Sequence, residues 1–184
     1  RVLLQRADVA PPYVLVGHSL GGVLARLFAH RYRQQVAALV LVDAMHEDQF
    51  DVFAPTFPPP RADEPVGLTE IREFWTRVWR DWHSTREGID LVTSCAQARS
   101  IDSLGDLPMH VLSAGTFLNS PLIPEPVRPR LQGMWDELQV RLARLSTHST
   151  RTMVANSGHF LQRDAPQQVA AVVASMVERV RSGK

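Results

Sequence analysis

The sequence predicts an α/β protein built on a parallel β-sheet, and three observations lead to this prediction. Short apolar runs alternate with stretches whose apolar residues recur at helical spacing, which is typical of a parallel sheet covered by helices. The run at residues 36–43 is continuously apolar, as expected of a strand buried on both faces. A chain of 184 residues, 45% of them hydrophobic and 21% charged, is large enough to bury such a core.

Four apolar runs are predicted as strands. They cover residues 13–17, 36–43, 109–115 and 150–155. The fourth run is shorter and more polar than the others, so we expect it at an edge of the sheet.

The segments between the runs show the stripes of amphipathic helices. One helix follows Ser19 at once, and another covers about residues 128–145 with Trp135 on its apolar stripe. The last helix opens with residues 164–167, which resemble a capping box with a proline in the first turn. We assign these stripes to core packing and to no other role.

Residues 44–106 interrupt this alternation. A proline-rich connector at residues 54–67 is followed by a helical pattern at residues 68–84, with three tryptophans on one side. Residues 84–87 resemble a second capping box that opens another helix. We interpret the whole segment as a helical insertion above the sheet.

Composition and charge exclude several classes of protein. The net charge is +1 with the two signs interspersed, so nothing indicates a binder of nucleic acids or anionic membranes. Cys95 is the only cysteine, so an intrachain disulfide is excluded and a cysteine-based zinc site is not expected. We expect Cys95 itself to be a small, buried apolar residue. No apolar run approaches the roughly 18 residues of a transmembrane helix. With no signal peptide after Arg1, the sequence favours a cytoplasmic location.

The first strand runs directly into a helix through a G-x-S-x-G pattern, from Gly17 to Gly21. Such a turn forces Ser19 into a strained conformation, and side chains two residues before or after it would clash, so glycine is expected at both places. The Ser19 hydroxyl then projects free of the sheet as a candidate nucleophile. The amide of Leu20 lies at a helix N-terminus and is a candidate donor to an oxyanion.

A serine nucleophile needs a base, and His159 is the best candidate among seven histidines. It follows the fourth strand and precedes the last helix, and loops at the carboxyl ends of parallel strands build the sites of such sheets. Gly158 gives this loop freedom to bring the imidazole over the sheet. His18 is next to Ser19 but points to the opposite face of the strand, so we expect it to line the site or to pack.

The motifs "VGHSLGG", "LVLVDA" and "NSGHF" resemble the α/β-hydrolase superfamily, in its branch of serine esterases and lipase-like enzymes. The resemblance implies a three-layer α/β-hydrolase fold with a mostly parallel sheet and a triad in the chain order Ser, acid, His. It also implies a partial hydrolase core at residues 1–43 and 107–184, with residues 44–106 as the helical cap. In the cap, the face of Trp75, Trp79 and Trp82 would contact an apolar acyl group, or would pack on the domain or on another subunit.

The sequence offers more than one candidate for the acid of the triad. In most of the superfamily it follows the third of these strands, but "SAGTFLNSP" holds only Asn119 there. Some relatives place the acid after the preceding strand, which in this sequence is Asp43. Glu125 is the second choice, and Glu47 and Asp48 are further alternatives.

The resemblance also implies about eight strands, with the nucleophile after the fifth, and this sequence supplies four. We therefore hypothesise that the chain is the C-terminal fragment of a larger hydrolase. The first strand would then be an open apolar edge that favours self-association.

The leading hypothesis is a serine hydrolase that cleaves small apolar carboxylic esters without a metal or cofactor. Ser19 attacks the acyl carbon, His159 transfers the proton, Asp43 orients His159, and the Leu20 amide stabilises the oxyanion. A thioesterase, C–C hydrolase, acyltransferase or cofactor-free haloperoxidase is an alternative on the same fold. A second hypothesis, from a different functional class, is that the chain is a catalytically incomplete fragment or a structural subunit.

Overall fold

A parallel four-stranded sheet forms the centre of the computed structural model, which describes residues 1–85, 88–117, 123 and 125–183. The strands lie in the order β1-β2-β3-β4, and all neighbours are parallel. Their bounds are β1 Tyr13–His18, β2 Val36–Val42, β3 Met109–Ala114 and β4 Ser149–Val154. The predicted parallel sheet is confirmed, and each predicted strand agrees with the observed one to within one residue at either end.

Eight α-helices accompany the sheet among the residues that the structure describes. They are α1 Val2–Arg6, α2 Leu20–Arg31, α3 Gln49–Phe53, α4 Val66–Thr76, α5 Leu91–Arg99, α6 Arg128–Ala143, α7 Leu161–Asp164 and α8 Pro166–Arg181.

The sheet carries one apolar core on each face. Leu39 and Leu41 of β2 pack in the core on the side of α2, together with Ala29. Leu142 of α6 belongs to this same core. The alternate residue Val40 belongs to the core on the other side, where α8 lies with Met176. Helix, sheet and helix therefore form three layers, and β2 is buried on both faces because successive side chains of a strand alternate.

The two outer strands differ in character. β4 lies at an edge as expected, and most of its residues are polar and at least partly exposed. β1 lies at the opposite edge, where Val16 is 49% exposed. Because the strands are parallel, the residues that follow them meet at the same end of the sheet.

The predicted helix at residues 68–84 is shorter than the sequence suggested. α4 ends at Thr76, and two short 3₁₀ turns follow at Val78–Arg80 and Trp82–Ser84. Arg77 departs from helical geometry, with φ −141° and ψ −53°. Beyond the break, Trp79 stacks on Phe50, which Trp75 of α4 also contacts.

Of the two predicted capping boxes, the one at residues 164–167 does not form as expected. Asp164 instead ends α7 and accepts from the Gly158 amide at 2.9 Å. The box at residues 84–87 includes residues 86 and 87, which are outside the described residues. α5 begins at Leu91 and is capped by the Asp90 side chain, which accepts from the Thr93 amide at 2.9 Å. α8 begins with Pro166 in its first turn, as predicted, but without a side-chain cap.

In the described part of the chain, we find no helix that combines the length and the apolar character needed to cross a bilayer.

Candidate active site

The turn between β1 and α2 has the strained geometry that the G-x-S-x-G pattern predicts. Ser19 adopts φ 52° and ψ −125°, in a region that non-glycine residues rarely occupy. A Cβ atom at Gly17 would lie 2.5 Å from the carbonyl oxygen of Gly21, so a side chain there has no room. The expected clash at Gly21 is wrong, because a Cβ atom there meets nothing within 4 Å. The second crowded glycine near this turn is Gly22, because a Cβ atom there would lie 2.3 Å from the Cβ atom of Ala44.

Ser19, His159 and Asp43 form one hydrogen-bonded line across the carboxyl end of the sheet. Nε2 of His159 lies 3.0 Å from Oγ of Ser19, and its Nδ1 lies 2.7 Å from Oδ2 of Asp43. An ionised carboxylate only accepts hydrogen bonds, so Nδ1–H donates to Asp43. Nε2 is then free to accept the proton of the serine hydroxyl. The sequence placed these residues after β1, β4 and β2, and the fold brings all three together.

Asp43 is completely buried and accepts two further hydrogen bonds through Oδ1. The Ala114 amide at the end of β3 donates at 2.8 Å, and the indole Nε1 of Trp135 in α6 also donates at 2.8 Å. Sequence reasoning assigned Trp135 to core packing alone, which is wrong in this respect. The available signal was chemical, because a buried indole N–H usually finds a hydrogen-bond acceptor.

His159 is surrounded by aromatic rings that limit its orientation. Phe117 stacks on Trp135 with ring centroids 3.6 Å apart and meets the His159 ring edge-on at 5.3 Å. On another side the His18 ring lies 4.7 Å away, and its Nε2 is 2.8 Å from the His159 carbonyl oxygen. Burial lowers the pKa of His18, which favours the neutral ring that donates to this carbonyl. His18 therefore contacts the backbone of His159.

The other candidate acids have different partners. Glu47 lies 2.8 Å from the guanidinium of Arg26, and Asp48 accepts from Arg99 at 2.8 Å and also pairs with Arg141.

Glu125 lies exposed in the 3₁₀ turn Glu125–Val127, and Asn119 is outside the described residues. Of the described candidates, only Asp43 has a contact with His159.

The turn that carries Ser19 is tied to the loop after β2. The Ser19 carbonyl accepts from the amides of Gly22 and Met45, both at 2.9 Å. Leu20 is the first residue of α2, and an amide at this position has no partner within its own helix. It remains a candidate donor to an oxyanion that forms beside Ser19.

A cavity of about 330 Å³ opens beside Ser19 and His159. Its remaining lining is largely apolar and aromatic and consists of Leu20, Met45, Gln49, Phe50, Phe74, Trp75, Leu91, Phe117 and Trp135. Of the predicted substrate contacts, Trp75 lines this cavity, but His18 and Trp79 do not. Trp79 stacks behind Phe50, with ring centroids 4.2 Å apart.

Metal binding and thiol chemistry each require a particular arrangement of side chains. Within the described residues, no group of three His, Cys, Asp or Glu side chains has the arrangement of a metal site. Cys95 is fully buried, and burial raises its pKa to about 11, which disfavours the reactive thiolate.

Comparison with known proteins identifies the family. A sequence model described as the alpha/beta hydrolase family matches residues 1–172. The chain belongs to the alpha/beta hydrolase family. This alpha/beta hydrolase is 27% identical to the uncharacterized protein YqjL of Bacillus subtilis over 167 residues, which is 91% of the chain and 57% of YqjL. A 41-residue stretch, 22% of the chain, is 51% identical to an uncharacterized Schizosaccharomyces pombe protein, of which it covers 8%. The chain thus spans little more than half of YqjL and a small part of the yeast protein.

Solved structures of other alpha/beta hydrolases show the same fold. A thermophilic esterase from Thermogutta terrifontis aligns with a TM-score of 0.56 and 20% identity over 97% of this chain and 69% of the esterase. A probable hydrolytic enzyme from Pseudomonas aeruginosa PAO1 aligns with a TM-score of 0.56 and 21% identity, over 95% of this chain and 66% of that enzyme. An epoxide hydrolase from Bacillus megaterium aligns with a TM-score of 0.54 and 14% identity, over 96% of this chain and 72% of the epoxide hydrolase. At these identities the likeness extends to the fold alone.

Proposed function

We propose that this alpha/beta hydrolase cleaves carboxylic esters through an acyl-enzyme intermediate. Ser19 is the nucleophile, His159 the general base and Asp43 the acid of the triad. The observation that carries the proposal is the line of two hydrogen bonds, 3.0 Å from Ser19 to His159 and 2.7 Å from His159 to Asp43. These distances suit proton transfer from a serine hydroxyl to an oriented imidazole.

The reaction proceeds in two halves. Oγ of Ser19 attacks the acyl carbon while Nε2 of His159 takes its proton, and the negative charge of Asp43 stabilises the resulting imidazolium. The Leu20 amide donates to the oxyanion of the tetrahedral intermediate. His159 then gives its proton to the leaving alcohol, and the acyl group stays on Ser19. Water, deprotonated by the same imidazole, then attacks the acyl carbon of the acyl-enzyme. The bond from this carbon to Oγ of Ser19 breaks, the carboxylic acid leaves, and His159 returns the proton to Oγ.

The proposed acid is well prepared for its role. Asp43 is excluded from water and holds three hydrogen bonds, from Ala114, Trp135 and His159. The Trp135 indole and the Ala114 amide share Oδ1, which leaves Oδ2 directed at the imidazole. Such an arrangement selects the tautomer that places the unprotonated Nε2 toward Ser19.

We further propose that residues 44–106 act as the cap over an apolar substrate. Three helices of this segment contribute side chains to the cavity wall: Phe50 from α3, Trp75 from α4 and Leu91 from α5. The cavity volume of about 330 Å³ suits a small ligand. Its aromatic walls favour an ester with an apolar acyl or alcohol group.

A fluorophosphonate probe tests the nucleophile and the base. We expect the probe to label the wild-type chain covalently, and both Ser19→Ala and His159→Ala to abolish labelling and the hydrolysis of 4-nitrophenyl butyrate. Ser100→Ala and His83→Ala, at exposed positions, are the matched controls and should behave as wild type. Labelling that persists in Ser19→Ala would exclude Ser19 as the nucleophile.

The acid is tested by comparing Asp43→Asn with Glu125→Gln. We expect Asp43→Asn to lower kcat by about 10³–10⁴-fold, because the amide cannot hold the tautomer or stabilise the imidazolium. Glu125 has no contact with His159, so Glu125→Gln should stay within about twofold of wild type. If steady-state ester hydrolysis showed the large loss of kcat in Glu125→Gln and not in Asp43→Asn, Glu125 would be the acid of the triad. Circular dichroism shows whether each variant is folded.

A further inference from the structure

Gln49 is an exception in the cavity wall. Apart from Ser19 and His159 of the proposed triad, it is the one lining residue with a polar side chain among those described. It begins α3 and is only 7% exposed. Its Oε1 is buried and has no hydrogen-bond partner among the described residues.

A buried carbonyl oxygen without a partner is unfavourable, because it has lost its hydrogen bonds to water and gained none in return. A methionine or leucine of similar size would fill the same space without this cost. An amide in such a place is therefore explained most simply by a ligand that supplies the missing donor. The same reasoning does not apply to the indole of Trp79, which is also unpartnered but lies outside the cavity lining.

The surroundings of Gln49 define the chemistry of that donor. Its neighbours in the cavity wall include the rings of Phe50, Phe74 and Trp75, which favour a flat apolar group. No Asp, Glu, Lys or Arg is present in the described lining, so nothing there compensates a charged ligand. The arrangement therefore suits a neutral hydroxyl or N–H on an otherwise apolar, aromatic group.

We propose that Gln49 is a specificity-determining residue for esters with an aromatic group that carries one neutral hydrogen-bond donor. A rotation of the Gln49 side-chain amide brings Oε1 to the cavity surface, where it accepts the hydrogen bond from this donor while the aromatic walls hold the ring. The reaction itself rests on the proposed function, whereas the binding preference depends only on the cavity. A site built to pair with a hydroxyl discriminates strongly against an analogue that lacks it, because its own polar group is then left unpaired.

A matched pair of substrates measures this preference. The 4-nitrophenyl esters of 3-phenylpropanoic and 3-(4-hydroxyphenyl)propanoic acid differ by one hydroxyl, and homologues with one or two methylenes vary the reach. We expect the wild type to prefer a hydroxylated ester by about tenfold in kcat/KM for at least one chain length. Gln49→Met, similar in size and apolar, should bring that ratio to about one. Gln97→Met, at an exposed site in α5, is the control and should keep the wild-type ratio.

A binding measurement separates this inference from the proposed function. In Ser19→Ala, the methyl esters of the same acids should quench tryptophan fluorescence, because Trp75 and Trp135 line the cavity. We expect about tenfold tighter binding of the hydroxylated ester, lost on adding Gln49→Met. Preferential binding without wild-type turnover would uphold the role of Gln49 and reject esterase activity. Turnover without any hydroxyl preference, or a preference that survives Gln49→Met, would overturn the role of Gln49 alone.

Discussion

Asp43 depends on three separate parts of the chain for a single carboxylate. An isolated charge with no exposure to water would be very unfavourable. The end of β3, the helix α6 and the loop after β4 each supply a donor, through Ala114, Trp135 and His159. Orientation of the carboxylate and compensation of its charge therefore come from the same three contacts.

His46 is a second buried polar residue, three positions further along the same loop. Its side chain is almost fully buried, and Nδ1 accepts from the Asp48 amide at 3.0 Å. Burial lowers the pKa of His46 to about 4, although the Glu47 carboxylate nearby opposes this shift. The folded protein therefore holds His46 neutral at a pH where an unfolded chain would protonate it.

Protonation of His46 should make stability depend on pH. Between pH 6.5 and about 4 the unfolded state binds the additional proton, so the contribution of His46 is complete above pH 6.5 and is lost as the pH falls toward 4. His46→Asn keeps an acceptor for the Asp48 amide but does not titrate. We expect its free energy of unfolding to fall less across this window, by about 2–3 kcal/mol. Urea denaturation at several pH values measures it.

The exposed His83 provides the control for this prediction, because His83→Asn should leave the wild-type pH dependence unchanged. Parallel curves for His46→Asn and wild type between pH 7 and 4 would contradict the assignment.

At the scale of elements, α2 is held close to the loop after β2. Gly22 lies where α2 meets Ala44, with no room for a methyl group between them. Four positions along the helix, the buried Arg26 lies 2.8 Å from the Glu47 carboxylate and donates to the Met45 carbonyl at 3.1 Å. The contact with Glu47 is an ion pair without the alignment of a hydrogen bond. These contacts join the helix behind Ser19 to the loop that begins with Asp43.

Two adjacent glycines of α2 allow a matched test of this close approach. Gly22→Ala would place two Cβ atoms 2.3 Å apart, so α2 or the loop must move, and we expect a loss of about 1–3 kcal/mol. Gly21→Ala meets nothing within 4 Å and should be neutral or stabilising by up to about 1 kcal/mol, because alanine favours the helix. Chemical denaturation of both variants decides the matter. Equal stabilities would show that the approach at Ala44 is not limiting.

At the scale of the whole molecule, the two edges of the sheet are unequally protected. β4 presents mainly polar residues, among them Arg151, which discourage pairing with another strand. β1 is apolar, and its Val16 is 49% exposed. The valine stripe of α8 beside it is only partly buried. An apolar edge of this kind favours association with another strand.

We therefore expect this chain to self-associate through β1 as its concentration rises. Val16→Lys places a charge on that edge and should shift the protein toward the monomer in sedimentation velocity experiments. Met153→Lys is the matched control, because Met153 is equally exposed, at 51%, on the opposite edge strand. A wild-type chain that stays monomeric at high micromolar concentration would refute this expectation.

Features that depend on neighbours along the chain could be predicted from the amino-acid sequence. Apolar runs and helical stripes specify the four strands and most helices, since periodicity records which face of an element is buried. The glycines around Ser19 and the loop position of His159 are likewise local signals. The end of α4 at Thr76 could not be predicted from these local patterns. Trp79, which follows this end, stacks on Phe50, and such a tertiary contact leaves no mark in the periodicity.

Contacts between groups that are far apart in the chain could be read only from the folded structure. The proposal of Asp43 rather than Glu125 as the acid rests on a contact across 116 positions of the chain. The indole that donates to Asp43 is 92 positions away from it. The exposure of β1 and the place of Gln49 in the cavity wall also follow from the packing of separate elements. Hydrogen bonds and burial depend on distances in space, and a linear pattern records only which side of each element faces inward.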